Sequence, residues 1–260
     1  MKLFARLMVV GSLVAYAGCK SGEGAAQGDE TATQGSECPK GSTMAGDPPP
    51  KGKKQTCMKP DGTRHGKATK WYDNGQKESE NEFKDGMYHG KWTSWHDNGQ
   101  KKEEGEFKDD KPDGKWTRWY ENGQKWSEDE QKDGETHGKS TSWHDNGQKM
   151  REGDLKDGKL LGKWTYWHEN GQKEKEGEYL KDNKQGKWTV WYENGQKKEE
   201  GEYIKDNKEG KWNWHDIKQG KWTYWHENGQ KKEEGEYLKN NKQGKWTCWN
   251  KAGKEITCPD

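Results

Sequence analysis

From Gly66 onward the chain repeats itself every 24 residues. Units opening on G-K-W or a near variant begin at Gly66, Gly90, Gly114, Gly138, Gly162, Gly186, Gly210, Gly220 and Gly244. Six successive steps are of 24 residues, the next of 10 and the last of 24. The unit GKWNWHDIKQ, residues 210–219, is therefore a truncated copy that lacks the turn and second strand of its neighbours. So strict a period excludes an ordinary globular core and points to identical supersecondary units, each packed on the next. Composition sharpens this. Leu, Ile, Val and Phe make up 18 of 260 residues, about 7%, where less than roughly 20% usually marks disorder. Yet the chain holds 17 Trp and 10 Tyr, and disordered chains are poor in aromatics. An aliphatic core is excluded; an aromatic one is not.

The clearest unit, GKWTYWHENGQKEKEGEYLKDNKQ, runs from Gly162 to Gln185. Lys163 to His168 alternates β-branched and aromatic residues, and Asn170-Gly171 is the strongest short hairpin signal. With a two-residue turn there, Trp164 faces Gly177, Thr165 faces Glu176, Trp167 faces Glu174 and Lys163 faces Glu178. A tryptophan over a strand glycine covers exposed backbone, and Lys against Glu is a favourable cross-strand pair. Ala68 opposite Asn81 departs from Trp–Gly at both positions together, in favour of this register; Trp116 opposite Asp129 does not. Trp164, Tyr166, His168, Gly177 and Tyr179 then share one face, and Lys163, Thr165, Trp167, Glu174, Glu176 and Glu178 the other. Segments such as Lys181 to Gln185 make the second turn. The expected fold is all-β: tandem hairpins in an elongated, twisted antiparallel ribbon.

The pattern G-K-W-x-x-W-x-x-N-G-Q-K-x-x-E-G-x-Y resembles the bacterial variant MORN repeat over residues 66–249. The resemblance implies stacked β-hairpins that act mainly as protein scaffolds, with lipid binding in some members. An antitoxin family carries the same repeat, but an exported, lipidated chain fits a cytoplasmic antitoxin badly.

Export is read from the first residues, MKLFARLMVVGSLVAYAGC. Lys2 and Arg6 form a positive n-region, and the apolar run Leu7–Ala17 is too short to span a bilayer as a mature helix. Tyr16-Ala17-Gly18-Cys19 resembles the lipobox of bacterial lipoproteins, which implies cleavage after residue 18 and lipidation of Cys19. A secretory signal with an incidental cysteine is the alternative. Lys20 after the cysteine, by the enteric-bacterial sorting rule, favours the outer membrane. Residues 19–37 read as a small, polar, lipidated tether.

Four further cysteines remain, an even number in an exported chain. They form two local pairs, Cys38 with Cys57 and Cys248 with Cys258, which close the two ends of the repeat stack. Zinc is the competing reading, disfavoured by the absence of CxxC spacing and by an oxidising compartment. The expected organisation is a signal peptide over 1–18, the tether over 19–37, a disulfide cap over 38–65 and the repeat domain over 66–260.

Sites for chemistry are scarce. The formal net charge is +1, so the basic patch that a nucleic-acid footprint needs is missing. No nucleophile elbow, P-loop, HExxH or EF-hand motif occurs, and no cofactor or metal is expected. His96, His144, His168, His215 and His226 occupy a position held by Tyr72, Tyr120 and Tyr192 in other units, as strand aromatics do. His65, His89 and His137 fall in turns. The sharper candidate is a tryptophan row filled in every full-length unit: Trp71, Trp95, Trp119, Trp143, Trp167, Trp191, Trp225 and Trp249. The neighbouring row that begins with Trp92 lapses to Ala68 and Ser140. The filled row is either packing or a binding ladder, with Trp95, Trp119, Trp143, Trp167, Trp191 and Trp225 stacking on sugar rings or cationic headgroups. The expected function is that of a non-catalytic, lipid-anchored envelope scaffold for another protein; glycan or headgroup binding and toxin neutralisation are the alternatives.

Overall fold

The computed structural model describes residues 38–204 and 216–259. The leader, the tether with Cys19, and residues 210–215 of the truncated unit lie outside the described residues. Among the described residues, eighteen strands form one antiparallel sheet. It opens with β1 (Thr43–Ala45) and β2 (Lys54–Met58) and continues with β3 (Arg64–Trp71), β4 (Lys77–Lys84), β5 (Met87–Trp95), β6 (Lys101–Lys108), β7 (Lys111–Trp119) and β8 (Lys125–Lys132). Next come β9 (Glu135–Trp143), β10 (Lys149–Lys156), β11 (Lys159–Trp167), β12 (Lys173–Leu180), β13 (Asn183–Trp191) and β14 (Lys197–Ile204). β15 (Ile217–Trp225), β16 (Lys231–Leu238), β17 (Asn241–Trp249) and β18 (Glu255–Ile256) complete it. Every strand pairs with its successor in the chain, so the sheet is an open meander with edges at β1 and β18. At about 4.8 Å per strand it is roughly 80 Å long.

The expected register holds through most of each hairpin. Lys163 pairs with Glu178, Trp164 with Gly177 and Thr165 with Glu176. Trp167, however, pairs with Lys173 and not Glu174. The cause is the turn. Asn170 keeps a negative φ, Gly171 has φ 82°, the Gly171 N–H donates to the His168 carbonyl and the His168 N–H to that of Gln172. This is a three-residue loop closed by a left-handed glycine, and Glu174 is the unpaired bulge residue that restores the expected pairing beyond it. The two-residue turn lies at the opposite edge. Lys181 and Asp182, at φ 51° and 70°, connect the pair Leu180–Asn183. Asn183–Gln185, expected in that turn, belongs to strand β13.

The glycine that opens each unit has a backbone role. Gly162 and Gly186 sit at φ 67° and 65°, and between β12 and β13 three residues, Gly186 to Trp188, oppose the single Gly177. Such a bulge bends the strand and increases its twist. Disulfides join Cys38 to Cys57 and Cys248 to Cys258, with Cys57 and Cys248 fully buried. Pro39 and Cys57 pack so closely over Gly66 that a side chain there would overlap them. The first hairpin is thereby capped.

Across the undescribed residues the meander continues without a missing partner. Ile204 of β14 pairs with Ile217 of β15. Hydrogen bonds that elsewhere link residues 23 apart, such as Tyr120 to Trp143, here link residues 33 apart, Tyr192 to Trp225.

Candidate functional site

The two tryptophan rows occupy opposite roles, and the row with lapses is the core. Trp116, Trp164, Trp188 and Trp222 are almost fully buried, Trp164 to 1% exposure. Trp164 is the register partner of Gly177, yet its indole covers Gly153 of the preceding hairpin, and Gly177 lies beneath Trp188. A Cβ on either glycine would overlap the ring above it. The indole Nε1 then donates to the carbonyl one residue past the covered glycine: Trp164 to Asp154 at 3.1 Å, Trp188 to Glu178 at 3.2 Å. This explains Trp116 opposite Asp129, because Trp116 covers Gly105 instead.

Tyrosines bridge the buried indoles into a column. Tyr179 meets Trp188 edge-on at 5.0 Å, Tyr203 meets Trp222 at 5.1 Å and Tyr237 meets Trp246 at 5.1 Å. Lysines cover it: Lys184 over Trp188 at 5.1 Å, Lys218 over Trp222 at 4.0 Å, Lys242 over Trp246 at 4.1 Å. Burial lowers the Lys218 pKa, with Glu199 opposing, and burial raises those of Tyr179, Tyr203 and Tyr224.

The unbroken row lies on the other face and is half-buried. Above each of Trp95, Trp119, Trp143, Trp167, Trp191 and Trp225 sits a lysine ammonium from the preceding hairpin, 5.5–5.6 Å from the ring centre. Each lysine also pairs with a glutamate, as Lys173 does with Glu176 at 2.8 Å, and that glutamate takes a second lysine, Lys163, at 3.2 Å. Burial pushes the Glu176 carboxyl up, but the lysine and Thr165 hydrogen bonds outweigh it and hold the pKa down. In the last full unit the Lys231 hydrogen bond, helped by Lys221 and Thr223 against desolvation, brings Glu234 to about 2.

The loops stack too, which accounts for the N-G-Q signature. Asn170 accepts from the Gln172 N–H at 3.0 Å and donates to the Glu193 carbonyl of the next unit at 2.6 Å. The Gln148 amide packs against Gly171, whose φ of 82° disfavours any side chain there. The His/Tyr position does one job with either residue. His168 Nε2 meets the Trp191 carbonyl at 3.1 Å, which makes it the protonated donor, and the Tyr120 hydroxyl donates to the Trp143 carbonyl at 2.8 Å. His65, His89 and His137, expected in turns, lie in strands β3, β5 and β9. Their Nδ1 atoms sit 3.1–3.5 Å from Asp85, Asp109 and Asp157.

One feature of the surface does not repeat. An open cleft of about 730 Å³ is lined by Trp126, Tyr120, Trp119, Glu121, Asp145 and Arg118, among others. Trp126 is 46% exposed, and it is the one exposed aromatic among the described residues. It occupies the bulge position that holds Glu78, Lys102, Met150, Glu174, Lys198 and Lys232 in other hairpins. That departure was visible in the sequence; the cleft it lines was not.

A family model described as "MORN repeat variant" matches residues 64–85, 88–109, 112–133, 136–157, 160–181, 184–205 and 218–239, more than half of the chain. Comparison with curated proteins finds no match.

Proposed function

This chain belongs to the MORN repeat variant family, and from that premise we propose that it is a non-catalytic envelope lipoprotein whose ribbon is a scaffold for binding another envelope protein. The observation that carries this reading is the lysine over seven of the eight tryptophans of the unbroken row, Trp95 to Trp249. An indole whose face already holds an internal ammonium has spent its attraction for cations, so the row serves the scaffold better than a headgroup ladder. The Lys–Glu–Lys rungs beside it form a charged, hydrogen-bonding surface of the type that protein interfaces place at their rim.

Cys19 supplies the anchor and residues 20–37 the tether, placing the ribbon at the bacterial cell envelope, on the outer membrane. Acyl chains contribute about 0.8 kcal/mol per buried methylene, so two or three chains hold stably. Two measurements decide these points. Crosslinking the full-length protein in membranes and recovering it should enrich a specific envelope protein; recovery of none removes the scaffold reading. With globomycin the unprocessed precursor should accumulate, seen by mass spectrometry, whereas normal processing removes the lipid anchor. Saturable binding of peptidoglycan fragments or phospholipid headgroups to the unbroken row would favour the ladder instead.

A further inference from the structure

We propose that the cleft around Trp126 and Tyr120 is the point at which the scaffold grips a basic side chain, lysine or arginine, of its partner protein. The inference rests on the scaffold reading and names the chemistry of the contact. Its basis is a comparison between two equivalent places in the ribbon. In one, Lys198 lies over the ring of Tyr192 at 5.6 Å. In the other, three units earlier, Tyr120 is the counterpart of Tyr192 and Trp126 the counterpart of Lys198. Tyr120 and Trp126 stand 6.3 Å apart, tilted at 48°. The internal cation has been exchanged for a second aromatic wall, and the pair opens onto solvent.

Charge in the cleft points the same way. Arg118, which also lines it, is already neutralised by Glu103 at 2.8 Å and Asp129 at 3.2 Å. Lys102 is then the remaining cation, against the carboxylates of Glu121 and Asp145. Among the described residues neither carboxylate is in an ion pair. Two aromatic faces beside a surplus carboxylate form a site for an organic cation, whose ammonium or guanidinium is drawn to the ring faces and to the acid together. In the unbroken row, the tryptophans from Trp95 to Trp249 show the scaffold's own preference for an ammonium over an indole. Here that cation has to come from outside.

The test is a titration of the full chain in detergent, with indole N–H resonances followed by NMR. Trp126 is identified by the resonance lost in Trp126→Lys. That variant keeps the fold, because Lys102, Lys198 and Lys232 occupy the same position in neighbouring units. A lysine- and arginine-rich decapeptide should shift the Trp126 resonance saturably, and an aspartate- and glutamate-rich one should not. In Trp126→Lys the basic peptide should bind about fivefold or more weakly, and the Glu121→Gln, Asp145→Asn double variant should weaken it severalfold. An unmoved Trp126 resonance would overturn the proposal. So would equal affinity in Trp126→Lys, or saturation by phosphocholine or a peptidoglycan disaccharide while the basic peptide has no effect. A partner crosslinked equally well by wild type and Trp126→Lys would remove this site and leave the scaffold. Recovery of no partner would remove the scaffold, with the peptide titration still deciding the site.

Discussion

The ribbon is built in two ways along its length. From Trp164 to Trp246 the inner face is a column of alternating tryptophan and tyrosine rings under lysine lids. In the middle, the column breaks. Gln131 and Leu155 stand at the tyrosine position and Ser140 at the tryptophan position, and Asp129 replaces the glycine that an indole would cover. The space is filled by a polar network: Ser140 donates to Asp129 at 2.6 Å, and Arg118 reaches the same carboxylate and Glu103. Pro112, Thr136 and Leu160 take the lid positions that hold Lys184, Lys218 and Lys242 further on. The two solutions occupy the same place in the ribbon with different chemistry. The aromatic column repeats because a buried ring and a bare glycine complement each other in every unit. The polar stretch is specific to one place, and it adjoins the cleft.

The largest expected effect tests the column. Trp188→Ala removes a fully buried indole and should cost about 3–5 kcal/mol, read as a drop in the denaturant midpoint; a loss under about 1 kcal/mol would mean the column does not carry stability. Reduction of the disulfides should cost roughly 2–3 kcal/mol at each end. Hydrogen exchange should then quicken first in β2 and β17, and uniform quickening would contradict an end-capping role. The polar stretch should yield to conversion: Asp129→Gly with Ser140→Trp rebuilds the indole-over-glycine contact of the repeat and should be more stable than Asp129→Gly alone by about 1 kcal/mol or more, because the indole covers the bare glycine. Asp129→Gly alone leaves Arg118 short of a partner and should destabilise. A double variant no better than the worse single one would show the two regions are not equivalent.

The smallest effect is electrostatic. Glu234 is held at about 2 by Lys231 and Lys221, below its value of 4.5 in an unfolded chain. Its contribution is therefore complete above about pH 4.5 and is lost as pH falls towards 2. Such half-exposed pairs are worth about 0.2–1 kcal/mol. Glu234→Gln should flatten the acid limb of the stability curve by that amount, and an unchanged limb would dismiss the pair.

Much of this was readable from the chain. The period, the hairpin, the Lys163–Glu178 and Trp164–Gly177 pairing and both disulfides follow from spacing and residue type, and the family from the resemblance of its motif. The turns differ from what the local residues suggest. Asn170-Gly171 satisfies the rule for a two-residue hairpin, but Asn170 is needed to bond the next unit, and three residues with a compensating bulge at Glu174 serve that contact. Lys181–Asp182 took the two-residue turn although neither residue is glycine. The completeness of a tryptophan row was also a poor guide to burial. The core row tolerates Ser140 because Asp129 stands where an indole would lie and bonds it, whereas the unbroken row has a separate partner, its lysine, from Trp95 to Trp249.

The sequence by itself determined that this chain is a stack of β-hairpins, because a 24-residue period with alternating aromatics and regular glycines has few other ways to satisfy its backbone. Tertiary structure alone decided which indole covers which glycine, and so which face is core. The bulge at each opening glycine shifts the ladder between hairpins, and a shift of that kind lies in the contact between units, where the residues of one unit do not record it.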